Sequence, residues 1–443
     1  MARLFGTDGI RGIANVELKP ALGMALGRAT AARLLGAGGR LLVGQDTRRS
    51  CDMLVASVAA GATSMGSDVY RLGVCPTPAL AFVTADLGYG AGIMVSASHN
   101  PADDNGLKVL DGRGLKLDDQ MEDELEALVW RAEELPSPGN AGLGRDLDGR
   151  AGLERYRLHR MALAARIHAD LRVSLDCANG SASAVAPGIL LATGSDVSVL
   201  FDAPDGVNIN LGCGATAPAA LAEQVAARRS DVGFALDGDA DRCVAVDERG
   251  QIVDGDQLLG LIALDRLARG ALEEATLVVS VLSNGGLADA VEQAGGRVVR
   301  TPVGDKYILD AMLVSGAGVG GEKSGHVIVR QHTTSGDGIV TALEVLDILT
   351  RTGRSLSELA ATIPLYPQQQ RTIPVRHKDQ WEADRQLVDA VNAAEAELAG
   401  RGRVLVRPSG TEPALRIMIE GQDAARVAQL ADELSALAVL RLN

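Results

Sequence analysis

No stretch of this 443-residue chain approaches the ~18 consecutive apolar residues of a membrane-spanning helix. The opening residues, MARLFGTDGIRG, lack an apolar h-region, so no secretory signal is expected and the expected location is cytoplasmic. Aromatic residues are scarce, at 2%. The core must therefore be aliphatic, and with 47% hydrophobic residues the chain is globular. Only five cysteines occur (Cys51, Cys75, Cys177, Cys213, Cys243), with no CxxC pair. That excludes a zinc ribbon or disulfide scaffold and fits a reducing compartment. Positive charge is also short: 43 Lys and Arg face 57 Asp and Glu, a net charge of −14. Nucleic acid and anionic membrane are excluded as partners. A small anion can bind only where cations are concentrated locally.

What the chain has in abundance is alternation. LLVGQDTRRS from Leu41, LRVSLDCANGS from Leu171 and TLVVSVLSNGG from Thr276 share one grammar. Each is an aliphatic strand, a polar break and then an Ala-rich helical stretch. Continuous aliphatic strands alternating with helices predict parallel sheets covered on both faces. Ligands in such folds sit at the carboxyl ends of strands, where all three polar breaks lie. PSPGN (136–140) predicts a loop near the end of the first unit, and IPLYPQQQRTIPV (363–375) an interdomain connection. Beyond it, Trp381–Leu398 has helical spacing, GRVLVRP and ALRIMIE predict strands around SGTEP, and the final stretch predicts an amphipathic helix.

Five motifs carry chemistry. In VGFALDGDADRCVAVDERG, Asp237, Asp239 and Asp241 alternate directly after an apolar run. A polar hairpin turn needs the Asp-Gly but not the third Asp or the Arg. Three crowded carboxylates repel unless a cation neutralises them, and hard oxygen ligands suit Mg²⁺. An EF-hand loop is excluded, because its sixth position is Arg242 rather than Gly and the flanks are strand-like. A haloacid-dehalogenase motif is excluded because Asp241 stands where that motif needs Thr. In VRPSGTEPALRIMIE, Arg407 and Arg416 flank Ser409-Gly410-Thr411, a small-residue turn whose backbone N–H groups, hydroxyls and guanidinia suit a phosphate. It is not a Walker loop. In GVGGEKSGHVIV, glycines surround Glu322, Lys323, Ser324 and His326, a hydrogen-bonding cluster that suits a polyol. GTDGIRG places Arg11 between glycines, and is weak alone. GIMVSASHNP ends a buried strand in Ser-His-Asn-Pro.

Together and in this order, GTDGIRG, SASHNP, DGDADR, GEKSGH and RPSGTEPALR resemble the α-D-phosphohexomutases over essentially the whole chain. The resemblance implies an α/β fold of three similar mixed-sheet domains followed by a smaller α+β C-terminal domain. Their expected bounds are 1–152 with a phosphoserine loop, 153–253 with a metal loop, 254–366 with a sugar-recognition loop and 367–443 with a phosphate loop. It implies that Ser98, not Ser96, is the phosphoryl carrier. It implies Mg²⁺ on Asp237, Asp239 and Asp241 with the phosphoserine oxygen as a further ligand. Lys108 maps beside the phosphoserine and Arg242 follows in the metal loop. Glu322 and Ser324 map to readers of the sugar, and Arg407, Ser409, Gly410, Thr411 and Arg416 to the loop for the non-reacting phosphate. Lys108, His326, Arg11 and His99 remain open as the base that takes the sugar hydroxyl's proton.

Within the family, FGTDGIRG, Ala240 in DGDADR and PDGVNINLGCGAT resemble the branch that interconverts glucosamine 6-phosphate and glucosamine 1-phosphate, for UDP-N-acetylglucosamine and cell-wall synthesis. Ala215 departs from that branch's usual CGST. The expected ligands are a hexosamine phosphate, Mg²⁺ and glucosamine or glucose 1,6-bisphosphate as intermediate or activator. A homodimer is compatible with this reading. The rivals are a glucose- or mannose-phosphate mutase, and a catalytically silent sugar-phosphate-binding protein.

Overall fold

The computed structural model describes residues 3–6, 8–36, 38–400, 402–409 and 413–443. The first sheet has the order β1-β5-β4-β2-β3-β6. Its strands are β1 (Ile10–Ile13), β2 (Arg40–Gln45), β3 (Asp68–Val74), β4 (Ala91–Val95), β5 (Asp104–Asp111) and β6 (Asp146–Asp148). The second contains β7 (Arg172–Asp176), β8 (Asp196–Leu200), β9 (Val232–Leu236), β10 (Cys243–Asp247) and β11 (Ile252–Val253), in the order β11-β10-β9-β7-β8. The third contains β12 (Thr276–Ser280), β13 (Arg297–Thr301), β14 (Val319–Gly321) and β15 (Val327–Val329), in the order β13-β12-β14-β15. A three-stranded sheet of β16 (Gln368–Pro374), β17 (Gly402–Pro408) and β18 (Ala414–Gly421) closes the chain.

The three aliphatic segments are the central strands β2, β7 and β12, each flanked by parallel neighbours. The sheets are nonetheless mixed. In each, the last parallel strand turns back as an antiparallel hairpin: β4 to β5, β9 to β10 and β14 to β15. β4 and β9 are buried at every residue because helices cover both faces, which is why AGIMV and VGFAL read as unbroken apolar runs.

The PQQQRTIP stretch is not a bare connection. Gln368–Pro374 is an edge strand of the last sheet, paired with β18. Alternation over six polar or branched residues suffices for an edge strand, and Pro374 sits at its end where no ladder donor is needed. The helix expected over Trp381–Leu398 is split. A 3₁₀ turn, Lys378–Ala383, precedes a helix over Arg385–Leu398, because Asp384 caps that helix by accepting from the Leu387 N–H at 2.9 Å.

One hydrophobic core runs from Leu42 through Leu175, Phe234 and Leu277 to Ile363, joining the first three sheets. The last sheet has its own core, drawn from Ile373 to Leu442. Its joint to the third unit includes a buried polar network. The buried Glu420 carboxylate accepts from the Gly285 N–H, Gln368 Nε2 and Arg403 Nε, each at 2.9 Å. Among the described residues, no helix is long and apolar enough to cross a membrane.

Candidate active site

The hairpin turns carry the motifs. Residues 96–103 join β4 to β5, residues 237–242 join β9 to β10, and residues 322–326 join β14 to β15. Equivalent turns of three related sheets therefore converge, while the polar breaks after β2, β7 and β12 lie beside them.

Ser98 is fully buried and takes a left-handed backbone conformation, φ 52°. Its Oγ donates to Asp237 Oδ2 at 2.5 Å and lies 3.3 Å from His99 Nδ1. Asp237, Asp239 and Asp241 each present an oxygen within 4.8 Å of the others, and all three are buried. Asp239 Oδ1 and Asp241 Oδ1 are buried with no hydrogen-bond partner. Buried carboxylate oxygens aimed at one point without donors fit a hard divalent cation. Lys108, on β5, reaches Asp239 at 2.8 Å and Asp8 at 3.0 Å. Thr77 donates to Asp239 Oδ2 at 2.6 Å. Arg11 bonds Asn100 Oδ1 at 3.0 Å and also pairs with Asp8, as does Lys116.

The charges set one another. Burial pushes the Asp237 carboxyl well up, and Asp241 and Asp239 push it further. Burial opposes ionisation of Asp241 too, but Lys108, His326 and Arg242 outweigh it and hold that carboxyl below its usual range. Burial likewise opposes the Lys108 charge, and Asp239, Asp8 and Asp241 reverse the sign and hold it protonated. His99 is pushed down to about 4 by burial and then by Arg242 and Arg11, so it stays neutral.

His326 is buried, with Nδ1 3.6 Å from Asp241 and Nε2 accepting from the Gly336 N–H at 2.9 Å. The Gly338 N–H donates to the Ala240 carbonyl at 3.0 Å, so residues 336–338 support both the metal loop and His326. A Cβ on Gly336 would lie 2.6 Å from the Asp241 carbonyl and the His326 ring. Glu322 accepts from the Gly304 N–H at 3.1 Å, and Ser324 is exposed on the same turn.

Arg407 and Arg416 face each other across β17 and β18. They line a separate cleft of about 220 Å³ with Leu282 and Val303. Burial and then Arg416 push the Arg407 pKa down. Ser409 is buried, its N–H donating to the Ala414 carbonyl at 2.8 Å. Gly410 and Thr411 lie outside the described residues.

Ser98, His99, Lys108, Arg11, Asp237, Asp239, Asp241, Arg242 and His326 thus form one group, with Arg407 and Arg416 in a second cleft. Sequence reasoning missed Asp8, Thr77, Asp46, Arg48, Asn210 and the 336–338 segment. Asp8, Arg48 and Asn210 stand in stretches that drew notice (GTDGIRG, QDTRRS and VNINLG), but most of their partners are distant in the chain.

Residues 2–136, 155–250 and 254–366 match the phosphoglucomutase/phosphomannomutase alpha/beta/alpha domains I, II and III, and residues 372–437 match the C-terminal domain. A phosphoglucosamine mutase of Moorella thermoacetica is 51% identical over 426 residues, 96% of each chain. One from Symbiobacterium thermophilum is 49% identical over 436 residues, 97% of each. A crystal structure of a phosphoglucomutase/phosphomannomutase family protein from Burkholderia thailandensis superposes with a TM-score of 0.84 at 25% identity, over 100% of this chain and 99% of that one. The serine-bearing hairpin, the aspartate hairpin and the four-unit architecture thus coincide with full-length matches, and the chain belongs to the phosphoglucomutase/phosphomannomutase family, the α-D-phosphohexomutases.

Proposed function

We propose that the chain interconverts glucosamine 6-phosphate and glucosamine 1-phosphate, passing a phosphoryl group through Ser98 and a bound 1,6-bisphosphate. The observation that carries this reading is Ser98 Oγ, 2.5 Å from Asp237 within a buried three-carboxylate set. The relatives at 51% and 49% identity, both phosphoglucosamine mutases, support the choice of sugar.

In the first half-reaction, a sugar hydroxyl oxygen bonds to the phosphorus of phosphorylated Ser98 while the bond from phosphorus to Oγ breaks. The hydroxyl's proton passes to a base, and the sugar becomes a bisphosphate. In the second half, after the bisphosphate turns over, Ser98 Oγ attacks the other phosphate and the monophosphate product leaves. Charge neutralisation and in-line placement dominate such transfers. Mg²⁺ on Asp237, Asp239, Asp241 and a phosphoserine oxygen would supply neutralisation of the phosphoryl charge.

Lys108 and Arg242 add fixed positive charge beside Ser98. Of the four candidate bases, Lys108 holds its proton, and Arg11 has no free lone pair. His326 spends Nε2 on Gly336 and so orients Asp241 instead. The neutral His99, with Nδ1 3.3 Å from Ser98 Oγ, stands at the carrier oxygen and would exchange a proton there, which leaves the base for the attacking sugar hydroxyl, on the opposite side of the phosphorus, open. Glu322 and Ser324 read the sugar. Arg407, Ser409 and Arg416, with Gly410 and Thr411, hold the phosphate that is not reacting. The substrate is a small hexosamine phosphate met in the cytoplasm.

A coupled assay on glucosamine, glucose and mannose 6-phosphates, with catalytic bisphosphate and Mg²⁺, tests the reading. The highest kcat/KM is expected on glucosamine 6-phosphate. A higher value on glucose or mannose phosphate overturns the choice of sugar, and no turnover on any of them overturns the enzyme.

A further inference from the structure

Two side chains from outside the metal loop, Arg48 and Asn210, hydrogen-bond the Ser98 carbonyl. Arg48 follows β2 and its side chain is completely buried. Its guanidinium donates to the carbonyls of Ser98 at 3.0 Å, Asn100 at 2.8 Å and Asp104 at 3.1 Å, and also to that of Pro101. Asp46 fixes the guanidinium from the other side at 3.0 Å, and accepts from Ser96 Oγ at 2.6 Å. The Ser96 Oγ in turn accepts from the Ser98 N–H at 2.9 Å. From the second unit, Asn210 Nδ2 donates to the carbonyls of Ser98 at 2.8 Å and Asn100 at 3.1 Å. A Cβ on Gly238 would lie 2.5 Å from the Ser98 carbonyl, so the metal loop's backbone presses against the same peptide.

We infer that Arg48 and Asn210 are positioning residues that clamp the 96–104 turn through its carbonyl oxygens, holding Ser98 in its left-handed conformation against the metal loop. The reading rests on Ser98 as phosphoryl carrier. A non-glycine residue at φ 52° is held there only by its surroundings. Backbone anchoring also leaves Oγ free to gain and lose a phosphoryl group without disturbing the clamp. Asn210 adds what Arg48 cannot: it comes from the unit that carries the aspartates, so it sets the distance between the two hairpins. A loosened turn slows both half-reactions while leaving the sugar and phosphate contacts in place. Escape of the bisphosphate then competes with its second transfer.

Asn210 has φ 59°, so Asn210→Gly keeps the backbone conformation and deletes only the amide. Asn210→Gly is expected to lower kcat roughly ten- to a hundredfold with KM for the hexosamine phosphate within about twofold. It should also need more added glucose 1,6-bisphosphate for full rate. Backbone amide exchange should quicken in peptides covering 96–106 and stay at the wild-type level elsewhere. Arg48→Lys, which cannot span the carbonyls, should show the same pattern more strongly if it folds. An Asn210→Gly protein with unchanged kcat, unchanged activator dependence or unchanged exchange over 96–106 overturns the clamp. A wild-type protein inactive on hexosamine phosphates would instead overturn the proposed function, and the exchange measurement then decides the clamp alone.

Discussion

The serine–aspartate centre and the two-arginine cleft are built differently. At the centre every cation already has carboxylates: Lys108 faces Asp8 and Asp239, with Asp241 at 3.8 Å. The groups are buried, tied across units, and carried by sheets that one core joins. In the cleft, two guanidinia face each other on a sheet with its own core and a buried polar network at its joint. The centre is tied across units by buried ion pairs, whereas the cleft brings two guanidinia together on a separately cored sheet. On the proposed reading, the first would pass the phosphoryl group and the second would hold the phosphate that is not reacting.

The largest effect should come from Ser98→Ala. Loss of the carrier hydroxyl should reduce turnover by roughly 10³-fold or more while the protein stays folded. Intact-mass and peptide analysis of active wild type should place one phosphate on the Ser98 peptide. Phosphate on Ser96 alone, with Ser98→Ala active, breaks the assignment. Next, chelation and Asp239→Asn should each cost roughly 10²–10³-fold, with Mg²⁺ reversing only the first. Full rate in chelator rules out the metal.

The comparison sharpens on stability. Lys108→Met removes the partner of buried carboxylates and should cost about 3–5 kcal/mol in metal-free protein. Arg407→Met removes one of two facing cations and should leave Tm unchanged or raise it. The same Arg407→Met should raise KM roughly ten- to a hundredfold, the worth of a charge-assisted bond of about 1.5–3 kcal/mol. Paired Tm and KM measurements decide it: a Tm loss at Arg407 comparable to that at Lys108 would erase the distinction. The smallest effect should be at Glu322→Gln, which keeps shape and removes charge. It should shrink the preference for glucosamine over glucose phosphate by roughly tenfold or less. An unchanged ratio removes Glu322 from substrate choice.

The candidate site residues were legible because they are contiguous. Asp237, Asp239 and Asp241 fall within five positions, and a strand that breaks into Ser-His-Asn-Pro announces itself. The four-unit organisation was legible from aliphatic strands alternating with helices. What was hidden is what lies between segments. Arg48 reads as a surface arginine in DTRRS until β2 and β4 pair and bury it under the serine turn. Thr77 and Asp239 are 162 residues apart yet 2.6 Å in contact. The glutamine run was read as a connection because three glutamines carry no apolar signal, though an edge strand needs little. The polar breaks after the central strands looked like the sites themselves. The break after β2 instead places Arg48 and Asp46 under the serine turn, and the motifs sit on the antiparallel hairpins, whose return strands leave no mark in the periodicity of the central strand.

The separate core of the last sheet has a consequence for how the polypeptide can be divided. Cutting after residue 152 or 253 would slice through one continuous apolar interior, since the same cluster holds Leu42, Leu175 and Ile363. Cutting at the proposed 366/367 boundary would leave both of these cores whole and sever polar bonds such as those to Glu420 and Arg403, beside a cleft where Leu282 and Val303 meet Ile417 and Met418. Of the three cuts this is the one that keeps those cores whole, so 1–366 and 367–443 expressed together are expected to reassemble, which co-purification of the two pieces would check.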